Sequence, residues 1–418
     1  MTWTALTNAA ILDGTGAPPL TNRTVLIRDG RIHDLPHASG RLPDDAVVLD
    51  LGGMTVLPGL IDAHVHLIGH RTMDARDMAF VDPALRAVRA TADLGRLLAA
   101  GITTVRDCGS ATALALKQAV IEGSVPGPHI VACGRFIERT GGADDFSQLP
   151  VAWMAERGPW EPRLADGPIE VRKAVREQIR AGATWIKTCT TGAVTTQAAS
   201  RPDRLEWTDE ELAAIVDEAH RLDAPVAVHA HAAAGIHQAL RCGADSIEHG
   251  TLLDDEAARE MAARGVFLVP TLFTLDRLLN QGVAFGVPPW AVAKARQIAG
   301  VRQASFERAL RHGVPIAMGT DCGGQDLLPH GRNAREAELL VQSGMTPSQA
   351  IAAATADAAR LLGIASEVGT IELGKAADLI AVDDDPLRDI TALQRPAFVM
   401  VNGTVAHDRR RATAAAVQ

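Results

Sequence analysis

Eight short apolar runs, most of them separated by Ala- and Leu-rich stretches of helical spacing, constrain this chain more than any other feature. They are Leu60–Val65, Ile102–Val105, Ile130–Ala132, Trp185–Ile186, Val226–Val228, Ser246–Ile247, Phe267–Val269 and Ile316–Met318. Each is too short for a helix and is read as the apolar centre of a strand. Between them lie patterns such as Asp209–Leu222, which Thr208 opens as an N-cap with Glu211 three residues on. Strands that alternate with helices build parallel sheets, because each crossover helix covers a sheet face. Eight such units over about 300 residues predict an α/β fold, a (β/α)8 TIM barrel. A doubly wound open sheet is the alternative. No Gly-rich nucleotide fingerprint follows any run, which counts against it.

The flanks have another texture. Thr24–His33 reads as strand, Asp29-Gly30 turn, strand, the pattern of a hairpin. Residues 367–408 repeat it, with a strand at Asp378–Asp383 and an Asn402-Gly403 turn after Phe398–Val401. The two ends are expected to pair into one small β-sandwich domain. Residues 1–58 would be its first part, 59–362 the barrel that carries the chemistry, and 363–418 its second part. The segment 138–168, with Gly141-Gly142, Trp153 and Trp160, fits neither pattern. In a barrel it would be a long loop after strand 3, on the active-site face.

Composition bounds the partners. With 47% hydrophobic residues in 418, a sizeable core can be buried. The net charge is −9, and no dense basic run precedes Arg409-Arg410-Arg411, so a nucleic-acid partner is not expected. The apolar runs are too short to span a bilayer, and Met1-Thr-Trp-Thr does not open a secretory signal, so no membrane role is expected either. The cysteines Cys108, Cys133, Cys189, Cys242 and Cys322 are scattered singly, which reads as reduced thiols in the cytoplasm. Cys189 and Cys322 closely follow residues singled out below and could line their pocket, although a structural role is the plainer reading. The partner that remains is a small-molecule substrate. Around 270–300, Phe273, Phe285 and Trp290 could bury against a second copy of the chain, as in a homo-oligomer, or cap the site.

The first apolar run carries the first chemical signal. His64 and His66 stand one residue apart in Gly59-Leu-Ile-Asp-Ala-His-Val-His-Leu67. On a strand, residues i and i+2 face one side, so both imidazoles point the same way and form half of a metal site. Further candidates fall at the ends of later runs: Lys187 after strand 4, His229 and His231 after strand 5, His249 after strand 6, and Asp321 after strand 8. A barrel gathers its chemistry at these strand ends. Lys187 is the hardest to explain structurally, because an unpaired ammonium in an apolar strand is costly.

In this order, the set resembles the metal-dependent amidohydrolase superfamily over nearly the whole chain. The strings Val228-His-Ala-His231 and Ser246-Ile-Glu-His-Gly250, with 20 residues from His229 to His249, are similar to the branch of prolidase-like carboxypeptidases and ochratoxin-hydrolysing amidohydrolases. The Gly374–Asp383 stretch and Asp385-Pro386-Leu387 resemble that superfamily's returning β-domain. The resemblance implies two divalent metal ions, with zinc the default. His64, His66 and Asp321 would hold one and His229 and His249 the other. Lys187, as a carbamate derived from carbon dioxide, would bridge both. It implies attack by a hydroxide between the metals, with Asp321 as the catalytic proton shuttle. The bond cut would be an amide C–N bond in an N-acyl amino acid, a dipeptide or a xenobiotic amide or carbamate.

For substrate contacts the resemblance points to His231. His330 and Arg139 are further candidates from their positions in loops after strands 8 and 3. One departure stands out. Relatives often show Gly-Gly-His after strand 3, with the His on a substrate carboxylate, and here the run is Gly141-Gly142-Ala143-Asp144-Asp145. Lactone or ester hydrolysis would use the same ligands. A mononuclear deaminase would want a Glu three residues after His229, where Ala232 stands. A non-enzymatic scaffold of the same fold should have lost ligands, and all six are present.

Overall fold

The computed structural model describes residues 2–73, 80–145, 150, 152, 162–195 and 200–410. Trp153 and Trp160 lie outside the described residues. Seven of the eight apolar runs form strands: β6 (Leu60–Val65), β7 (Ile102–Asp107), β8 (His129–Ala132), β11 (Ile186–Cys189), β12 (Val226–Ala230), β13 (Ser246–His249) and β14 (Phe267–Val269). Helices Pro83–Ala99, Ala111–Ile121, Asp209–Arg221, Ala233–Cys242 and Asp255–Arg264 follow individual strands, and Gly167–Arg180 precedes β11. Every residue of β6, β7, β11, β12 and β14 is buried, as expected where helices cover a parallel sheet. The main apolar core lies between strand residues such as Leu60, Ile102 and Val226 and helix residues such as Leu94, Val175, Ile215 and Ile236. Thr208 caps its helix as expected: its side chain accepts the Glu211 amide, and the Glu211 carboxylate accepts the Thr208 amide.

These strands form two parallel ladders rather than one continuous sheet. One runs β6-β7-β8, the other β10-β9-β11-β12-β13-β14, where β9 is Ile137–Glu138 and β10 is Arg163–Leu164. The third strand is broken after Ala132 at Gly134 (φ +69°) and resumes as β9, which pairs with Thr188 of β11. The loop expected over 138–168 therefore begins and ends in the short β9–β10 pair. The eighth run, Ile316–Met318, is not a ladder strand. Pro315 brings no amide, and Gly319 follows. It still hydrogen-bonds both ways: the Leu268 amide to the Pro315 carbonyl (2.9 Å) on one side, the Ala63 amide to the Met318 carbonyl (2.8 Å) on the other.

The chain ends meet in an eight-stranded mixed sheet ordered β17-β16-β15-β5-β1-β2-β3, with β4 also on β1. Its members are β1 (Trp3–Ile11), β2 (Leu20–Arg28), β3 (Arg31–Asp34), β4 (Val47–Asp50), β5 (Thr55–Pro58), β15 (Leu379–Val382), β16 (Phe398–Val401) and β17 (Thr404–Asp408). Both expected hairpin turns are present. Asp29-Gly30 and Asn402-Gly403 all have positive φ, which matches the twist of two-residue hairpins. The sheet has its own apolar cluster, including Leu6, Val25, Ile32, Leu379 and Phe398.

Candidate active site

Asp62 ties the first strand to the segment after the eighth run. Its carboxylate accepts the His64 amide (3.1 Å), the Thr320 amide (3.1 Å), the Thr320 hydroxyl (2.6 Å) and the Asn333 side-chain amide (2.7 Å). This clamp sets Asp321 beside the two histidines. Asp321 Oδ1 is 3.1 Å from His66 Nε2 and 3.5 Å from His64 Nε2. The approach requires a glycine at 319, where a Cβ would come within 2.4 Å of Val269 Cγ1 and 2.9 Å of His64 Cβ. Asp321 (φ +61°), His249 (φ +71°) and Thr271 (φ +47°) all occupy the left-handed region. Non-glycine residues held there are strained, and such strain gathers at functional sites.

One cavity collects the candidate groups. His64, His66, Lys187, His229, His231, His249 and Asp321 all line it. The imidazoles form a chain of ring contacts, His64 to His249 at 5.2 Å, His249 to His229 at 4.5 Å and His229 to His231 at 4.6 Å between centroids. Burial, neighbouring imidazoles and Lys187 hold His229 and His249 well below the usual imidazole range, so both are neutral and have lone pairs to offer. His231 is likewise pushed down to about 4, chiefly by burial. Asp321 is held below the usual carboxylate range. Burial opposes this, but the His66 hydrogen bond and the neighbouring histidines outweigh it. His249 Nδ1 meets the Thr271 hydroxyl at 2.6 Å, and His231 Nδ1 meets the Thr251 hydroxyl at 2.8 Å. These contacts fix each ring and leave Nε2 as the other donor atom.

Behind the cavity lies a network that sequence reasoning missed. Arg106, fully buried on β7, donates to the Ala63 carbonyl (2.6 Å), the Ser246 hydroxyl (3.1 Å) and Glu248 Oε1 (2.7 Å). Glu248 Oε2 is 2.6 Å from His64 Nδ1. Burial disfavours the Glu248 anion, yet Arg106 and His64 hold it well below the usual carboxylate range. It therefore accepts, His64 Nδ1 carries the proton, and His64 Nε2 is left facing Asp321. The only sequence signal was a charge inside each of two apolar strands; which charge meets which is a tertiary fact. Glu248→Gln leaves Arg106 buried without its counter-charge, which costs about 3 kcal/mol. It also loosens the His64 ring and lowers metal affinity by roughly 10- to 100-fold. Denaturant titration and metal titration measure the two effects separately, and an unchanged His64-dependent affinity would rule out the orienting role.

The expected site residues do not all fall where the sequence suggested. Lys187 lies inside β11, not at its end, because Thr188 and Cys189 continue to pair with Val228 and His229. Its Nζ is buried and has no hydrogen-bond partner among the described residues. Arg139 does not line the cavity. Its guanidinium pairs with Glu206 Oε2 at 2.5 Å, since that buried carboxylate needs a counter-charge. His330 also lies outside the lining, and its Nε2 donates to the His66 carbonyl at 3.2 Å. Ala143 is fully buried, whereas Asp144 lines the cavity, pushed up to about 6 by burial. Cys189 and Cys108 line the cavity and Cys322 does not; all five cysteines are free. Phe273 is buried within the chain, because the Leu272 and Phe273 amides are seated on Glu336. Leu275, Leu278 and Ile298 from the same region border the cavity. No helix among the described residues is long and apolar enough to cross a membrane.

The donor set fits divalent cations. His64, His66 and Asp321 offer atoms all within 4.8 Å of one another, and Lys187 Nζ is an orphaned buried polar atom beside them.

Comparison with known proteins agrees with this geometry. The amidohydrolase family matches residues 55–406. Ochratoxinase from Aspergillus niger is 32% identical over 360 residues, covering 82% of this chain and 73% of that protein. The crystal structure of A. niger ochratoxinase superposes with a TM-score of 0.88 at 29% identity, covering 97% of this chain and 95% of that one. A Xaa-Pro dipeptidase with methionine in its active site gives 0.88 at 33% identity, covering 97% and 99%. A prolidase complexed with N-methylphosphonate-L-proline gives 0.89 at 33% identity over the same shares. The chain belongs to the amidohydrolase family and is a hydrolase acting on amide bonds.

Proposed function

We propose that the chain is a binuclear metal-dependent hydrolase of an amide C–N bond in an N-acyl amino acid, a dipeptide or a xenobiotic amide or carbamate. The observation that carries this reading is Lys187: an amine only 4% exposed, without a hydrogen-bond partner among the described residues, facing the same cavity as five histidines and Asp321. A buried ammonium with no partner is costly. A carbamate, formed when the amine adds carbon dioxide and releases a proton, supplies two oxygens that share one negative charge and a reason for the burial. His64, His66 and Asp321 would hold one cation, His229 and His249 the other, and the Lys187 carbamate both. Zinc is the default for such donors. When bound, the cations would polarise the scissile carbonyl and make water a stronger acid near neutral pH.

The chain's own groups then divide the work. Asp321 Oδ1, aimed at the pair of histidines, would take the proton from the attacking water and hand it to the leaving nitrogen. Glu248 would keep His64 in the tautomer that offers Nε2. His231, fixed by Thr251 and kept neutral, would contact the substrate beside the leaving group. Relatives whose names mention ochratoxin or prolyl peptides support an amide rather than a lactone.

We also read the two parallel ladders and Ile316–Met318 as a (β/α)8 barrel spanning residues 59–362, and the terminal sheet as the β-domain of residues 1–58 and 363–418, with a small molecule as partner in the cytoplasm. The test is elemental analysis of purified protein, followed by assay against N-acyl amino acids, dipeptides, aryl amides, carbamates and lactones. We expect about two divalent ions per chain, the number this donor set can hold, and turnover of at least one amide class. Hydrolysis of lactones alone would overturn the amide assignment.

A further inference from the structure

Among the described residues, the cavity has one unassigned cation. Arg302, on the long helix Pro289–His312, lines it together with the metal-binding candidates. Its Nη1 donates to the Leu272 carbonyl at 3.3 Å, and no ion pair to a carboxylate is formed among the described residues. Burial works against its charge, and the acids Glu336 and Asp276 offset this only in part. Glu336 is committed elsewhere, accepting the Leu272 and Phe273 amides at 2.8 and 2.6 Å. A half-buried guanidinium that opens into a cavity without a counter-ion is short of an anion.

The wall after the third strand offers a substrate anion no lysine or arginine among the described residues. Ala143, at the end of the Gly141-Gly142-Ala143 run, is buried and apolar and offers an anion nothing. Asp144 beside it brings an acid to that wall. Arg139 is paired with Glu206, and His330 is outside the lining. Among the described lining residues, Lys187 and Arg302 are the only lysine or arginine side chains, and Lys187 sits among the metal-binding histidines. Arg302 also has a defined setting. Ile298, one helical turn before it, lines the cavity on the same face, and Leu275 and Leu278 from the helix Leu272–Gln281 complete an apolar wall beside it.

We propose that Arg302 is the carboxylate anchor of this cavity, and that its substrates are N-acyl amino acids with a free carboxylate and an apolar side chain. The inference rests on the amide-hydrolase reading and names the end of the substrate remote from the acyl group. The planar fork of Arg302 would hold the carboxylate on two parallel hydrogen bonds, the apolar side chain would lie against Leu275, Leu278 and Ile298, and the amide would face the histidines.

The test uses the metal-loaded full chain, N-acetyl-L-leucine and its C-terminal carboxamide, with the wild type, Arg302→Met and Arg302→Lys. An anchor that grips ground state and transition state alike changes KM, not kcat. Arg302→Met should raise KM for the carboxylate about 10- to 100-fold, the range for a hydrogen-bonded charge, with kcat nearly unchanged and the carboxamide unaffected. Arg302→Lys, which keeps the charge and loses the fork, should fall between. Calorimetric titration with N-acetyl-L-leucine should show the same order of affinities whether or not the compound turns over, and thermal unfolding of each variant checks folding. Equal losses on carboxylate and carboxamide, or unchanged affinity in Arg302→Met, would overturn the anchor while leaving the hydrolase reading intact. Binding of N-acetyl-L-leucine that depends on Arg302 without turnover of any amide would keep the anchor and overturn the hydrolase reading.

Discussion

Lys187→Ala is expected to give a folded protein that no longer holds two metal ions and no longer turns over amides. The side chain lies inside β11 with every strand neighbour buried, and its Nζ satisfies no hydrogen bond among the described residues. Removing it therefore orphans no partner, and the space it leaves joins a cavity that already exists, so little packing is lost. It also removes a buried amine whose charged form is costly. The metal-free variant should accordingly unfold at or above the temperature of the metal-free wild type. Metal-loaded samples should behave oppositely, because only the wild type gains stability from ions bound to the native state. Substitutions that merely orient a ligand cost 10- to 100-fold, so loss of the shared ligand should reduce turnover by more than about 100-fold. Elemental analysis, calorimetry with and without chelator, and initial rates measure the three effects. Two retained ions with full turnover would refute the bridging role.

Asp321→Asn should lower kcat by about 100- to 10,000-fold, the span of general acid–base catalysis, with a much smaller change in KM. This substitution is unusually clean. Asp321 has φ +61°, and asparagine tolerates the left-handed region as readily as aspartate. The amide can keep an oxygen at the present Oδ1 position, 3.1 Å from His66 Nε2, so the local geometry survives. What it cannot do is accept and return a proton. If the substrate binds less tightly but reacts at the normal rate, Asp321 is a binding group and the proton travels another way. Because Asp321 would also contribute negative charge to one cation, metal occupancy must be measured in the same samples.

The two effects separate cleanly from that at Glu248. On the proposed reading Lys187 and Asp321 would act at the reacting atoms, so their loss is read in turnover. Glu248 acts through His64 and carries the charge of Arg106, so its loss is read first in stability and metal affinity. Arg302, as a carboxylate anchor, should appear in KM for one class of substrate.

Much of this was legible in the chain alone. Apolar runs of strand length placed seven strands, because burial on both faces leaves a continuous hydrophobic signature. The Asp29-Gly30 and Asn402-Gly403 turns and the Thr208 capping box were readable because each depends on residues adjacent in sequence. His64 and His66 were identifiable because a strand's two-residue period puts both on one side. Tertiary structure alone decided the rest, since it depends on pairs of residues brought together from distant parts of the chain. It set Glu248 against Arg106 and His64, committed Arg139 to Glu206 and His330 to the His66 carbonyl, and turned Arg302 on a helix about 240 residues away toward the same cavity as His64. Local pattern specifies which elements form; the partner of a buried charge is whichever opposite charge the packed fold brings within reach.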